Sequence, residues 1–453
     1  MIKSDLKRVL FVAYYFPPRG GAGVQRSLKF VKYLRSFGWE PTVLTAEYTA
    51  REGAYDETLL CEVPQGTRIV ALASDERRFV ALSKRGLGRL AGFVVRPDTA
   101  VIWANRALAE ARRLHAEEPF DAVYTSVQPW SSALLGMWLK EDPGLPWVSD
   151  FRDPWTRSFH LLWPTRLHWK LDFRLERRFV ERADRTLVVT PTMRDYLLAD
   201  HPRVDPERVS ILLNGFDEED VATGPLEDDG KFTVVFTGKF QYDHHSNGVK
   251  RTIADRVRML GTCGRRDVML DTHSPIYFLQ ALKAFLDRFP ERRALTRVLF
   301  AGTIGEGNKA LIGHLGLGDV VECLGYVSHA RSVSLTKSAD ALLLPMFSTG
   351  DPGERCPYAS GKIYEYMAAR RPILALTQEG DAKDLALGSG LGLAAPPRDI
   401  GAIAAAIEGL FDAWKSGSTR FAPREAFITA FSRRRLAARL AAILDEVSGG
   451  RRE

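Results

Sequence analysis

The sequence predicts an α/β protein made of two doubly wound, Rossmann-like domains, each built on a parallel sheet. Three observations carry this. Short, near-continuous apolar runs recur along the chain, as in strands buried on both faces. Helical patterns separate them, and alternating β and α over such a length gives parallel sheets. The character changes at the acidic stretch "DEEDVATGPLEDDGK" (217–231), after which a second α/β series begins. At 453 residues the chain is also too long for a single core.

The first strand is "RVLFVAYYF", residues 8–16. Pro17 and Pro18 end it, and Gly20, Gly21 and Gly23 lead into a helix with Val24, Leu28, Val31 and Leu34 on one stripe. "PTVLTA", "TRIVALA", "DAVYTS", "PWVSDF", "RTLVVTP" and "VSILLNGF" follow as strands, with helices over 105–115, 131–139 and 167–182. The first domain therefore spans 1–216, the linker 217–231 and the second domain 232–423. The second series of strands is "FTVVFTGKF", "RVLFAG", "VVECLGYV", "ALLLPM", "RPILALT" and "LGLAAPP", with helices over 276–289 and 362–369. Residues 241–275 interrupt that series as an insertion. The tail, 424–453, reads as one amphipathic helix returning toward the first domain. Ligands of such sheets sit outside the carboxyl ends of the strands, which predicts two domains facing across a cleft.

Composition narrows the function classes. Four scattered cysteines give neither a disulfide framework nor a zinc knuckle, which fits a reducing cytoplasm. No apolar run is long enough to span a bilayer. The formal net charge is +7, and residues 1–215 hold 32 Lys+Arg against 26 Asp+Glu. One source is "ERRFVALSKRGLGRLAGFVVR" (76–96), a basic amphipathic pattern suited to an anionic membrane surface at the inner face of the membrane or to packing on its own domain. No nucleic-acid motif accompanies the charge. Asp243, His244, His245, Cys263, Asp271 and His273 lie in or beside the insertion at spacings diagnostic of no metal, so none is assigned.

Two stretches carry candidate chemistry. The glycine loop before the first helix suits an anion or sugar, or is simply a turn that packs strand on helix. In "CPYASGKIYEYMAARRPILAL" (356–376), Ser360 and Gly361 open a helix, Lys362 adds a point charge, and Glu365 falls one turn on. A diphosphate beside a ribose would match Lys362 and Glu365; a surface i,i+3 ion pair is the plain alternative.

With these residues in view, "SGKIYEYMAARRPILA" resembles the nucleotide-sugar signature of glycosyltransferase family four, in its polysaccharide-biosynthesis members. The opening strand–loop–helix, "DAVYTSVQPWSSALLG", "PWVSDFRDPW", "ERRFVERADRTLVVTPTMRDYL", "ILLNGFD" and "VVECLGYVSHARSVSLTKSADALLLP" are similar to further family elements, in order. The resemblance implies a GT-B fold and a retaining hexosyltransferase that needs no metal or other cofactor. Its donor would be a UDP- or GDP-linked sugar, its acceptor a glycan or lipid-linked molecule. It implies that Gly20, Gly21 and Gly23 face the donor and that Lys239, after Gly238, meets the diphosphate together with Lys362. Glu365 would then hold the ribose, with Gly325, Tyr326 and Val327 at the base. Gln128 and Trp130 stand where a family histidine is often found. Asp150, Arg152 and Asp153 would lie on the acceptor side, unless a buried Asp–Arg pair fixes that loop. The sequence departs from the family pattern at Pro357, where many members carry the first of two glutamates; Glu354 lies nearby at another spacing. A GT-B protein that binds nucleotides without turnover, and a dinucleotide enzyme using Glu47, are the competing classes.

Overall fold

The computed structural model describes residues 6–48, 55–74, 95–220, 229–243, 263–264, 267–351, 353–418 and 420–449. The basic pattern at 76–96 lies outside them except for its last two positions. Two compact units form: Met1–Asn214 with Met259–Arg265 and Arg433–Glu453, and Gly215–Arg258 with Arg266–Ser432.

In the first unit the described elements run β1 (Lys7–Val12), α1 (Ala22–Leu34), β2 (Trp39–Ala46), β3 (Arg68–Leu72), α2 (Val101–Glu117), β4 (Ala122–Val127), α3 (Ser131–Glu141), β5 (Trp147–Phe151), α4 (Arg166–Arg182), β6 (Arg185–Val188), α5 (Pro191–Asp200) and β7 (Val209–Ile211). The strands form one parallel sheet in the order β3-β2-β1-β4-β5-β6-β7. Successive residues of β1 serve opposite faces. Leu10 and Val12 join a core with α2 and α3, whereas Val9 and Phe11 join one with α1. A strand buried on both sides cannot alternate apolar with polar, so its sequence reads as an unbroken apolar run.

The second unit holds β8 (Phe232–Thr237), β9 (Val268–Met269), α6 (Ile276–Arg288), β10 (Thr296–Ala301), α7 (Glu306–His314), β11 (Val321–Gly325), α8 (His329–Ser338), β12 (Ala341–Pro345), β13 (Ser348–Thr349), α9 (Gly361–Ala369), β14 (Ile373–Leu376), α10 (Asp381–Gly388), β15 (Gly392–Ala395), α11 (Ile400–Lys415) and α12 (Glu425–Thr429). Its parallel sheet is ordered β11-β10-β8-β12-β14-β15. Counted within its own unit, the order matches that of the first sheet, strand for strand over six strands. Each sheet has its switch point where chain progression reverses: between β1 and β4, and between β8 and β12.

Two features differ from the sequence reading. The tail is not one helix. After α12 the chain turns at Phe431, whose ring packs on Tyr364 and Phe427 and whose carbonyl accepts the Phe216 N–H at 3.1 Å. The last helix, α13 (Arg433–Gly449), then belongs to the first unit. Its Leu436, Leu440 and Leu444 are fully buried with Val9, Phe11 and Leu34. Burying each such leucine stabilises by roughly 1.5–3 kcal/mol, and Lys7–Asp445 and Arg185–Glu446, both 2.7 Å, fix its register.

The 241–275 stretch is also divided. Asp243 accepts the Asn308 N–H at 2.7 Å near the start of α7. Cys263 pairs with Trp163 of the first unit through two backbone hydrogen bonds of 2.7 and 2.9 Å. Val268 and Met269 pair antiparallel with Thr349 and Ser348. A two-residue ribbon is too short to leave a periodic signal.

Candidate active site

At the carboxyl edge of the second sheet, three neighbouring strands end on glycine. Gly238, Gly302 and Gly325 follow or close β8, β10 and β11 with φ of 118°, 129° and 68°. The Gly238 N–H donates to the Ala301 carbonyl at 2.7 Å, and the Gly302 N–H to the Gly325 carbonyl at 2.6 Å. The positive φ values admit glycine and disfavour other residues. A Cβ at Gly302 would overlap the Gly238 carbonyl, and one at Gly238 would sit 2.8 Å from Lys362 Nζ. The strand ends thus form a side-chain-free terrace with Lys362 lying over it.

Lys362 comes from the first turn of α9. Ser360 caps that helix, its hydroxyl accepting the Lys362 N–H at 3.4 Å. The Lys362 ammonium lies 5.6 Å from the Phe236 ring centroid and forms no hydrogen bond or ion pair among the described residues. Burial pulls its pKa below the usual lysine value, with the Glu365 carboxylate opposing that shift. One residue after Glu365, buried Tyr366 accepts the Thr237 N–H at 3.3 Å and so ties α9 to the end of β8; burial pushes its phenol up to about 12. A desolvated cation held by a helix and a strand end, beside free backbone, is suited to receive an anion.

The other residues expected here spread along the same edge. Gly361 is exposed at the start of α9, and Lys239 is exposed directly after Gly238. Tyr326 follows β11 with 88% of its surface in solvent, a bare aromatic face, and Val327 is half-buried. Glu365 is exposed and lines a cavity of about 190 Å³ with Asp217, Asp220, Lys337 and Arg370. Sequence reasoning missed Gly302 and Tyr366. Gly302 had a readable signal, since "LFAG" ends its strand as "VFTG" does for Gly238.

At the first sheet's carboxyl edge, Gly21 (φ 101°) precedes α1, Gly20 is half-buried and Gly23 is exposed. Three expectations are corrected here. Asp150 is fully buried, so it cannot reach an acceptor. It accepts from Arg26 Nε at 2.7 Å and Nη2 at 2.9 Å, and from the Tyr124 hydroxyl. The buried Asp–Arg pair is real, but its arginine is Arg26, which also donates to the carbonyls of Leu212 and Leu213 at 2.8 and 2.7 Å. Arg152 instead donates to the carbonyls of Gly23, Val127 (3.2 Å) and Gln128 (2.9 Å), stapling the glycine loop to the ends of β4 and β5. Trp130 is 6% exposed and stacks on Trp155 at 4.6 Å, so it belongs to the core. Gln128 and Asp153 are half-buried. Desolvation raises the Asp153 carboxyl to about 6 despite the neighbouring Arg152 cation.

The residues considered for metal have other duties. Asp271 binds Arg398 at 2.7 Å and also the Tyr277 hydroxyl. His273 Nδ1 accepts the Gln241 N–H at 3.2 Å, and its ring stacks on Phe347. His244 and His245 lie outside the described residues. Among the described residues no three His, Cys, Asp or Glu side chains converge on one point.

Two doubly wound sheets that share one order over six strands, with a basic, glycine-floored edge on the second, define a two-unit α/β class whose second sheet has an edge suited to an anion. Comparison with known proteins bears out the class. Residues 20–215 match the family described as glycosyl transferase 4-like domain, and residues 258–413 match glycosyl transferases group 1. The chain belongs to this glycosyltransferase family, family four of group 1 type. It is 28% identical over 167 residues to an alpha-maltose-1-phosphate synthase of Mycolicibacterium smegmatis; that match covers 34% of this chain and 40% of the relative's length. Similar solved structures include a sucrose-phosphate synthase of Thermosynechococcus elongatus (TM-score 0.61, 14% identity, covering 98% of this chain and 100% of that one). Another is Anabaena HepE, solved with UDP and glucose (TM-score 0.60, 16% identity, 97% and 100% covered). At these identities the likeness speaks for the fold.

Proposed function

We propose that this glycosyltransferase moves a hexosyl group, with retention of configuration and without a metal, from a nucleotide diphosphate sugar to a glycan or lipid-linked acceptor in cell-surface polysaccharide assembly. The observation that carries the donor assignment is Lys362: a desolvated ammonium that makes no hydrogen bond or salt bridge among the described residues, with only the Glu365 carboxylate acting on it from a distance, poised over the glycine terrace beside a switch point. HepE and its UDP complex support a uridine donor, with a guanosine donor as the alternative.

In this reading Lys362, with Lys239 beside it, faces the diphosphate. The glycine-ended strands let the phosphates approach the backbone, Glu365 accepts hydrogen bonds from the ribose, and Tyr326 borders the base. In the transfer, the bond between the anomeric carbon and the phosphate oxygen breaks as the acceptor oxygen bonds to that carbon on the same face. The departing diphosphate takes the acceptor's proton. Charge grows on the leaving phosphate, so a cation and helix N–H groups aimed there lower the barrier. Pro357 in place of a glutamate leaves this work to the leaving-group side.

The test is turnover of UDP- and GDP-linked hexoses with undecaprenyl-linked acceptors, with and without EDTA. The reading expects one nucleotide to be released in either condition and an α-linked product from an α-linked donor. Binding without release of nucleotide would reduce the chain to a nucleotide-binding scaffold, and release only with added metal would refute the metal-free mechanism.

A further inference from the structure

We infer that the outer face of α4 docks the first unit on an anionic lipid surface. Arg166, Lys170, Arg174 and Arg178 recur every four residues and therefore form one stripe along the helix. All four are exposed, and none forms an ion pair among the described residues. Leu167 and Leu171, 62% and 44% exposed, run beside that stripe, and Leu162, 52% exposed, precedes the helix.

The acids of the same helix point the other way. Asp172 is buried, accepting from Trp163 Nε1 at 2.7 Å and paired with Arg96. Glu176 is buried against Thr156 and His201. Only Glu181, near the last turn, is partly exposed, and it lies 3.8 Å from Arg177. A helix with two of its three carboxylates used inward and the third past the end of the stripe, while its unpaired cations flank solvent-facing leucines, does not match an ordinary solvated face, where charges of both signs mix. Long basic side chains can hold their charge at headgroup level while leucines enter the acyl boundary. Both the charge and the apolar strip fit anionic lipid.

Position adds to this. α4 follows β5, so its first turn, which carries Leu167, stands at the carboxyl edge of the first sheet. A lipid-linked molecule held on this face would be presented to that edge. The inference deepens the acceptor part of the proposed function but does not depend on the donor assignment.

The experiment is sedimentation of the full chain with phosphatidylcholine vesicles, plain or containing about one-third phosphatidylglycerol. Wild type is expected to bind the anionic vesicles and to be released by salt. Each lost cation lowers partitioning roughly fivefold, so Lys170→Glu with Arg174→Glu should abolish it. Leu167→Ser with Leu171→Ser should weaken it while keeping the salt dependence. In both variants the stabilisation by UDP should remain, which separates this inference from failure of the donor reading. Undiminished binding by the charge-reversed variant would place the membrane contact elsewhere. No binding by wild type, or equal binding to plain vesicles, would overturn the inference and leave an acidic protein partner or self-association to explain the face.

Discussion

Replacing Gly238 with alanine perturbs the terrace and its lysine together, and the two effects can be separated. At φ 118° an L-residue is strained, which costs about 1–3 kcal/mol. The new methyl would also overlap the end of Lys362. That side chain is flexible, so it would swing out of its niche over Phe236 rather than push the backbone. Losing one charge-assisted hydrogen bond to a diphosphate, worth about 1.5–3 kcal/mol, would weaken nucleotide binding roughly 10- to 100-fold. Urea unfolding measures the first effect and calorimetric titration with UDP the second. Lys362→Ala removes the clash but not the strain, so Gly238→Ala should cost less stability in that background. A Gly238→Ala protein with wild-type stability and unchanged UDP affinity would refute both the strain argument and the placement of Lys362.

Further outcomes follow from the geometry. Arg26→Ala would leave Asp150 charged and fully buried, and should destabilise the protein by about 3–5 kcal/mol in urea unfolding. Asp153 has a folded-state pKa of about 6, above its unfolded value, so ionising it opposes folding. The penalty is absent below about pH 4, grows to about pH 6 and is constant above that, reaching roughly 2–3 kcal/mol. Asp153→Asn should therefore be more stable than wild type at pH 7, with the gain vanishing in acid; equal stability across this range would contradict the desolvation. Asp243→Ala should cost about 1 kcal/mol through loss of its hydrogen bond near the start of α7, and added zinc should not alter the melting temperature of wild type.

Much of the architecture was legible because the inner parallel strands are buried on both faces, so "RVLFVAYYF" and "ALLLPM" announce themselves without any partner. Helices α3, α4 and α6 were legible from period alone. The tail was misread because α12 and α13 continue one amphipathic pattern across Ser432, while their apolar faces serve different cores. At the site, Lys362 and Ser360 could be found because a helix start has local grammar: a cap, a glycine and a charge in consecutive positions. Asp150 could not be assigned from sequence, since its partner Arg26 lies 124 positions away and Arg152, closer in the chain, looked the better match. Trp130 was misplaced for a related reason. A tryptophan after a strand end can line a pocket or plug a core, and only Trp155 stacked on it decides between them.

The central claim is that Lys362 receives the diphosphate of a nucleotide sugar. Calorimetric titration of UDP and GDP into wild type and Lys362→Met tests it most directly, since methionine keeps the stem over Phe236 and removes only the charge. The account predicts that one nucleotide binds wild type and binds Lys362→Met roughly 10- to 100-fold more weakly. Equal affinity of both proteins, or no binding of either nucleotide to wild type, would contradict it.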